Sequence, residues 1–248
     1  MNTNNVELIG YYGSDQIIAQ SAWTSTSRNL TEEKIERIPA LLVQLWSQGH
    51  ETPFEKASIH FLVNCDIASH IHLLKHRISS LNAESARYKE LKEDKYYLPE
   101  DWDIPIEEFE EPHSTITYLK GQTWKDVLEG QSKITNNLYH EALKQLTLKL
   151  GRKRAKESAR FFKTYNSQIQ ADVSFNLRSF ANFLRLRNSE HAQLEIREIA
   201  QKMQDIVENI EDKPFKTAMW IITKANELWI QKQKEISKQL IEEFENIK

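Results

Sequence analysis

The first of two polar clusters that could handle an anion is the segment KHRISSLNAESARY, residues 75–88. It opens on three basic residues, and hydroxyl, amide and guanidinium groups follow at Ser79, Ser80, Asn82, Ser85 and Arg87. Side chains of these types, together with exposed backbone N–H groups near Ser85 and Arg87, are suited to a phosphate. A solvated helix end rich in polar residues is the structural alternative, and composition alone leaves both open.

The second cluster is NLRSFANFLRLR, residues 176–187. Apolar residues at helical spacing predict a buried stripe, formed by Leu177, Phe180, Ala181 and Leu184. The other faces carry cations and an amide, Arg178, Asn182, Arg185 and Arg187, and Arg160 lies upstream. Ordinary surface charge is the alternative interpretation. The two clusters together favour a cleft that binds an anion.

Composition restricts how such an anion could be held. With six glycines in 248 residues, the chain contains neither GxGxxG nor GxxxxGK[ST], so side chains would have to bind phosphates. The formal net charge of -3 gives no electrostatic reason to expect nucleic acid or a membrane surface. We expect a cytoplasmic protein, because no apolar run could span a bilayer, no secretory signal is recognisable, and Cys65 is the single cysteine.

Periodicity predicts the elements that would position these clusters. Alternating residues predict strands at residues 6–12, 57–64 and 169–175, and a helix with Thr31 as its N-cap is expected over residues 31–48. Pro39 would begin a second segment of that helix, and Gly49 would end it. Apolar residues spaced 4, 3, 4 and 3 from Ile67 to Leu81 predict one buried helical stripe. On that helix Lys75, Ser79 and Asn82 would be neighbours.

The remaining chain is expected to be helical around one irregular segment. Residues from about 92 to 130 are acidic, contain three prolines and have weak periodicity, with a possible strand at 115–119. Helices are expected at 124–150, 154–162, 177–187 and 190–210, and a long amphipathic helix at about 214–246. Strands mixed with long helices predict one α+β domain over residues 1–248, with a small mixed or antiparallel sheet.

The first cluster resembles the signature of flavin-dependent thymidylate synthases, RHRxxSxNxxSxRY. The matching residues are His76, Arg77, Ser80, Asn82, Ser85, Arg87 and Tyr88. The segment HETPFE, residues 50–55, and the block FNLRSFANFLRLRNSEHAQLEIREIA, residues 175–200, resemble two further parts of the family in order and spacing. The resemblance extends from about Val6 to Met203 and is weakest in the acidic segment. It implies methylation of dUMP to dTMP with 5,10-methylenetetrahydrofolate, FAD and NADPH, in a homotetramer with active sites between subunits.

The resemblance also implies roles for single residues. It assigns flavin contacts to Thr52, Lys75, His76, Arg77, Asn176, Arg178 and Asn182. It assigns dUMP contacts to His72, Lys75, Ser85, Ala86, Arg87, Arg160 and Arg187, of which Ser85, Ala86 and Arg87 hold the phosphate. Arg187 matches the arginine that favours the ionised N3 position of uracil, and we expect it to be the catalytic residue.

The chain departs from the family pattern at several positions. Lys75 stands where the family has the first signature arginine, which keeps a cation but loses the planar fork. His72 replaces a frequent glutamine, Ala83 replaces a glutamate, and Phe161-Phe162 replaces Leu-Pro. These differences predict a divergent member of the family. They also leave open a paralogue that binds FAD but has lost dUMP turnover.

Two other kinds of site are weaker interpretations of the sequence. A helical module that binds nucleic acid through its arginines, including the run GRKRAK at residues 151–156, is the main non-enzymatic alternative. We expect no metal site, because His50, Glu51, Glu55 and His76 do not have the spacing of a known ligand set. We expect Cys65 to be a buried structural thiol, since the flavin route needs no protein nucleophile.

Overall fold

A computed structural model describes residues 3–107 and 121–247 of the chain. Its four strands are β1 (Asn5–Tyr12), β2 (Ser58–Asp66), β3 (Ser80–Ala83) and β4 (Gln168–Asn176), and they form one sheet in the order β1-β2-β4-β3. Leu177 N donates to Ala57 O at one end of the β2–β4 pair, and Ile67 N donates to Ser167 O at the other. The start of β2 therefore lies beside the end of β4, and the end of β2 beside the start of β4, so the two strands are antiparallel. The α+β class and the small antiparallel sheet are therefore confirmed.

Strand β2 has the alternation of buried and more exposed residues that the sequence predicted. Ile59, Phe61, Val63 and Cys65 are fully buried, and their neighbours within the strand are more exposed except at Asp66. This alternation is expected for a strand with one face in the core.

Helices make up most of the remaining described chain. Their bounds are α1 (Asp15–Ala22), α2 (Glu32–Ser47), α3 (Ile67–Leu74), α4 (Trp124–Ala159), α5 (Leu177–Arg187), α6 (Leu194–Glu208) and α7 (Lys216–Ile247). Short 3-10 turns occur at Trp23–Ser25, Thr52–Lys56, Glu100–Trp102 and Arg160–Phe162. The long C-terminal helix was predicted correctly, whereas α1 was not predicted.

Helix α2 confirms one expectation and corrects another. The Thr31 side chain accepts a hydrogen bond from Lys34 N, so Thr31 is the N-cap as predicted. Pro39, however, lies inside the helix and does not begin a second segment. Pro39 is exposed. Water can therefore solvate the carbonyl group that its ring leaves without a donor.

The helix predicted over residues 67–81 is wrong in its second half. Helix α3 ends at Leu74, and Ser79 Oγ then donates to His76 O at 2.6 Å in a turn. Ser80–Ala83 is strand β3, and Glu84 N continues its pairing with β4 by donating to Gln170 O at 2.8 Å. The apolar spacing continues past the helix, but Leu74 is 53% and Ile78 74% exposed. Lys75, Ser79 and Asn82 therefore do not share a helical face.

Helix α4 begins at Trp124, as predicted, and so takes up the last part of the acidic segment. Thr123 and Asp126 form a capping box at that point. Gly151, with φ +75° and ψ 156°, interrupts the helical geometry, as the predicted break between residues 150 and 154 requires. Tyr96 and Pro105 form isolated bridges to Ser167 and Thr123. The strand predicted at residues 115–119 lies outside the described residues.

The chain divides into two compact units. The first contains Met1–Asn5, Val63–Lys75 and Asn82–Asp172, and the second contains Val6–Leu62, His76–Leu81 and Val173–Lys248. In the first unit, Tyr139, Leu143, Ala155 and Ala159 form a buried cluster. In the second, four phenylalanine rings (Phe61, Phe175, Phe180 and Phe183) pack with centroids 5.1–6.3 Å apart. None of the helices in the described ranges is long and apolar enough to cross a membrane.

Candidate active site

Helix α5 in the second unit presents the second polar cluster. Asn176 caps the helix, its Oδ1 accepting from Ser179 N at 2.8 Å. Phe180 and Phe183 pack into the phenylalanine cluster on the buried face. This leaves Arg178 and Asn182 exposed, and Arg185 and Arg187 half-buried. The core contacts of α5 therefore fix the direction in which its polar side chains project.

Arg187 meets a residue of the first cluster. Its Nε donates to His76 Nε2 at 2.9 Å, although 111 positions separate the two residues. The His76 ring also packs edge-on against Phe183, with centroids 4.9 Å apart at 75°. Nε2 is the acceptor in this contact, a role that requires the neutral tautomer with its proton on Nδ1. The end of α5 and the start of the signature segment thus share one polar contact.

The partly buried environment of Arg187 strengthens the attraction of its guanidinium for an anion. Burial lowers the pKa of Arg187 below its ordinary value, and the side chain stays a cation at neutral pH. A partly desolvated cation attracts an anion more strongly than one in bulk water. Since Nε is bonded to His76, the two terminal nitrogens form the fork that remains for a planar, two-acceptor ligand.

Arg178 holds the HETPFE segment. Its Nε donates to Glu51 Oε2 at 3.0 Å and its Nη1 to Glu55 Oε1 at 2.6 Å. These two hydrogen bonds, the one to Glu55 contributing more, raise the pKa of Arg178. Thr52, which is exposed, lies between the two glutamates in sequence. The structure thus places Arg178 against the segment that contains Thr52, through two acids for which the sequence predicted no such role.

Lys75 and Arg77 are exposed cations beyond the end of α3. Lys75 is the C-cap residue, and its backbone N–H donates to His72 O at 3.3 Å. Within the described parts of the chain, neither cation takes part in an ion pair. Cations that are not neutralised by a carboxylate fit the phosphates of a flavin dinucleotide in a chain without a glycine-rich loop.

Asn182, another predicted flavin residue, is linked to its neighbour on α5. Its Oδ1 accepts from Arg185 Nη2 at 2.6 Å. The Arg185 guanidinium lies over the Trp229 ring of α7, 4.8 Å from the centroid. Asn182 therefore contributes to holding the Arg185 guanidinium over the Trp229 ring.

In the first unit, the residues predicted to bind phosphate form a turn. Tyr88 N and Lys89 N both donate to Ser85 O, at 3.0 and 2.9 Å, and Arg87 N donates to Ser85 Oγ at 3.3 Å. Ala86 lies inside this turn. Arg87 Nε donates to Glu157 Oε1 of α4 at 3.2 Å, and Lys156 Nζ donates to Tyr88 O at 2.8 Å. The turn is therefore tied to the C-terminal part of α4.

Glu157 connects this turn with the region of Arg160. Burial alone would raise the pKa of Glu157, but hydrogen bonds from Arg87 and Arg154 together lower it. Arg160 follows three positions later and is exposed. The structure thus places Arg87 beside the helix that leads into Arg160. The role of Glu157 was missed because nothing in its local sequence distinguishes it from other surface glutamates.

Two further expectations concern metal and thiol chemistry. Over residues 3–107 and 121–247, no group of three or more histidine, cysteine, aspartate or glutamate residues is arranged to hold a metal ion. Cys65 is fully buried at the end of β2. Burial, with a smaller effect of Asp66, raises the pKa of the Cys65 thiol to about 12. A thiol in that state is protonated at neutral pH and a poor nucleophile.

Comparison with known proteins identifies relatives of the chain. The family model of the thymidylate synthase complementing protein matches residues 7–211. A flavin-dependent thymidylate synthase of Pseudothermotoga lettingae is 32% identical over 83% of this chain and 85% of its own length. One of Gluconobacter oxydans is 30% identical over 82% of this chain and 65% of its own length. Among solved structures, the UMP/dUMP methylase PolB of Streptomyces cacaoi with 5-Br dUMP superposes with a TM-score of 0.68, at 25% identity over 90% of this chain and 96% of that one.

Proposed function

Because the chain belongs to the thymidylate synthase complementing protein family, we propose that it methylates dUMP to dTMP. Flavin-dependent thymidylate synthase is the enzyme class that its relatives support. In the proposed reaction 5,10-methylenetetrahydrofolate donates the carbon, FAD is the flavin, and NADPH is the reductant. The proposed assembly is a homotetramer with active sites between subunits.

The hydrogen bond between Arg187 and His76 is the observation that best supports this proposal. It joins the last residue of one polar cluster to the signature segment within a single compact unit. Water can hydrogen-bond to the guanidinium of an arginine on a helix surface, so such a side chain does not need an imidazole as its partner. The contact instead gives the guanidinium one defined orientation, which a residue that acts on a planar base requires.

Arg187 is the residue we assign to activation of the uracil ring. N3 and O4 of uracil are adjacent acceptors once N3 has lost its proton, and they match the two parallel N–H groups of a guanidinium fork. A desolvated cation at this edge stabilises the ionised base and makes C5 more nucleophilic. The protein then needs no thiolate, in agreement with the protonated state of Cys65.

The flavin would be held by side chains, in the absence of a glycine-rich loop. The proposed contacts are Thr52, Lys75, His76, Arg77, Asn176, Arg178 and Asn182. Reduced flavin, when bound, supplies the reducing equivalents that convert the transferred carbon to a methyl group. Arg178 keeps its place through Glu51 and Glu55, so its contribution is to position Thr52 as much as to add charge.

The phosphate of dUMP would be bound by the turn at Ser85, Ala86 and Arg87, with Arg160. His72 and Lys75 complete the proposed substrate contacts. A dianionic phosphate is a stronger partner for Arg87 than the single carboxylate of Glu157, because it offers three acceptor oxygens and more charge. We expect substrate to draw Arg87 away from Glu157.

Colour and release of tritium test the proposal directly. The purified protein should be yellow, with absorbance at about 450 nm from oxidised flavin. With methylenetetrahydrofolate and NADPH it should release tritium from C5-labelled dUMP and form dTMP. Labelled UMP should be assayed in parallel, since PolB of Streptomyces cacaoi is a UMP/dUMP methylase. Faster release from UMP would replace dUMP as the assigned substrate.

The Arg187→Ala variant separates the enzyme from its alternatives. It should lose tritium release and keep most of its flavin, because the proposed role of Arg187 concerns uracil. Unchanged release by this variant would contradict the assignment. A yellow wild-type protein without release would indicate a paralogue that has lost turnover. A colourless protein that binds DNA or RNA with a steep salt dependence would favour the nucleic-acid module.

A further inference from the structure

A buried lysine in the first unit is not among the residues assigned a role above. The side chain of Lys163 is 5% exposed, and the residue follows the 3-10 turn Arg160–Phe162. Its Nζ donates to Asn136 Oδ1 at 2.6 Å and to Asp94 Oδ1 at 3.1 Å, and lies 4.5 Å from the centroid of the Tyr139 ring. An ammonium group that is removed from water needs partners of this kind, so these contacts hold Lys163 in one place.

The partners of Lys163 come from two different parts of the first unit. Asn136 and Tyr139 are buried on α4, whereas Asp94 lies in the segment after the turn proposed to bind the dUMP phosphate. Asn136 Nδ2 donates to Asp94 O at 3.2 Å, and His140 Nε2 of the same helix lies 2.9 Å from both carboxylate oxygens of Asp94. The segment that contains Asp94 is therefore fixed to α4 at the point where Lys163 is buried.

Both arginines proposed to bind the phosphate are connected to this ammonium through the chain. Lys163 N donates to Arg160 O at 3.0 Å, which closes the 3-10 turn that carries Arg160. On the other side, Asp94 lies a short way after Arg87 in the sequence. The contact between Lys163 and Asp94 therefore joins the two segments that carry these arginines. Contacts that hold two ligand-bearing segments together decide how well the segments converge on one phosphate.

We infer that Lys163 is a positioning residue for the phosphate of dUMP, because it holds the turn of Arg160 and the segment after Arg87 in fixed relation. The inference rests on the proposed function, since it assumes that these two arginines bind the phosphate. The ammonium is enclosed by Asp94, Asn136 and the Tyr139 ring. Its effect on the substrate would therefore pass through the segments that it joins.

Calorimetric titration with dUMP and with deoxyuridine, which lacks the phosphate, tests the inference without turnover. The ratio of the two dissociation constants measures the contribution of the phosphate. Wild-type protein should bind dUMP at least about a hundredfold more tightly, as two charge-assisted contacts would give. In Lys163→Met, which keeps a long side chain without the ammonium, this ratio should fall by roughly tenfold, while deoxyuridine binds as in the wild type. In the tritium assay, the KM for dUMP should rise by a larger factor than kcat falls.

Asp94→Asn separates positioning from attraction over a distance. Asparagine accepts the left-handed φ of +48° at this position and keeps an acceptor for Lys163, but the hydrogen bond to a neutral amide is weaker. Removal of a negative charge near a phosphate would by itself increase the ratio. Positioning predicts the opposite, a ratio roughly twofold to fivefold lower than in the wild type. An increased ratio would overturn the inference, and this variant decides the question if Lys163→Met does not fold.

Lys144→Met is the matched control. Lys144 is an exposed residue of α4, so the substitution removes the same charge without opening the cluster around Lys163, and the ratio should equal that of the wild type. A Lys163→Met protein with the wild-type ratio would contradict the inference. Equal weakening of dUMP and deoxyuridine would do so as well, because it would indicate a general structural effect of Lys163.

Tritium release by the wild type judges the proposed function separately. Release together with an unchanged ratio in Lys163→Met would reject the positioning role alone. Binding that depends on the phosphate and on Lys163, without any release, would reject the enzymatic proposal alone.

Discussion

At the scale of single residues, His76 decides how Arg187 presents its guanidinium. The imidazole is held against Phe183 on one side and accepts from Arg187 Nε on the other. An arginine side chain has many rotamers, and ordering it on substrate binding costs entropy. An imidazole acceptor without a negative charge fixes the Arg187 side chain in advance and leaves its positive charge intact. A carboxylate partner would neutralise that charge.

Replacement of His76 by phenylalanine should therefore lower kcat. The aromatic ring and its packing on Phe183 are retained, but the acceptor for Arg187 is lost. A hydrogen bond to a charged group contributes about 1.5–3 kcal/mol, so we expect a loss of roughly tenfold to a hundredfold in kcat. Tritium release at saturating dUMP measures this effect.

The flavin content of each preparation provides the control for that variant, since His76 is also a proposed flavin residue. His76→Gln, which keeps an acceptor oxygen, should restore part of the rate. Wild-type kcat in the phenylalanine variant would show that Arg187 is oriented without His76. Equal losses of flavin and rate would assign His76 to the cofactor alone.

The residue types at the site could be predicted from the sequence, but their partners could not. The resemblance to the family selected Arg87 in the signature, and Arg178 and Arg187 in the block of residues 175–200. Glu51, Glu55 and Glu157, which bind two of these arginines, carry no local signal because such pairs form only after distant segments meet. The pairing of Arg187 with His76 depends likewise on where α5 ends relative to the signature segment.

At the scale of elements, prediction succeeded where one local pattern decided the structure. The alternation in β2, the Thr31 cap and the length of α7 were all correct. It failed beyond Leu74, where the helical spacing of apolar residues continues but β3 pairs with β4. Hydrogen bonds to a strand that is distant in sequence decide the conformation here against the local apolar periodicity. Nothing in the sequence of residues 75–83 indicates that β4 is the pairing strand.

Asp15 provides a test of how α7 is attached. Its carboxylate accepts from Thr217 N at 2.6 Å and from Ala218 N at 3.0 Å, so α1 caps the first turn of α7. Asp15→Ala would leave both N–H groups without this acceptor, and we expect a loss of about 1–3 kcal/mol in the free energy of unfolding. Urea denaturation measures it, and Asp15→Asn should lose less because one acceptor remains.

Glu36→Ala is a suitable comparison for this prediction. Glu36 is an exposed acid on α2, and surface substitutions of this kind change stability by at most about 0.5 kcal/mol. If Asp15→Ala were as stable as Glu36→Ala, the cap would contribute nothing measurable to the attachment of α7.

At the scale of the whole molecule, a buried histidine links folding to pH. His70 on α3 is 9% exposed, and its Nδ1 has no hydrogen-bond partner among the residues the structure describes. Burial lowers the pKa of His70 from its ordinary value of 6.5. The unfolded chain therefore binds a proton at this residue at a pH where the folded chain does not.

The sign of this linkage predicts a loss of stability in mild acid. The contribution of neutral His70 is fully present above pH 6.5 and decreases as the pH falls below that value. One such group changes the free energy of unfolding by at most about 1.4 kcal/mol per pH unit. Urea midpoints of the wild type and of His70→Leu should be measured between about pH 5 and pH 7.5. Their difference should stay constant above pH 6.5 and shift in favour of the variant as the pH falls, because only the wild type loses the contribution of neutral His70. Parallel pH profiles for the two proteins would show that His70 is protonated equally in the folded and unfolded chains, and would assign the acid sensitivity to other groups.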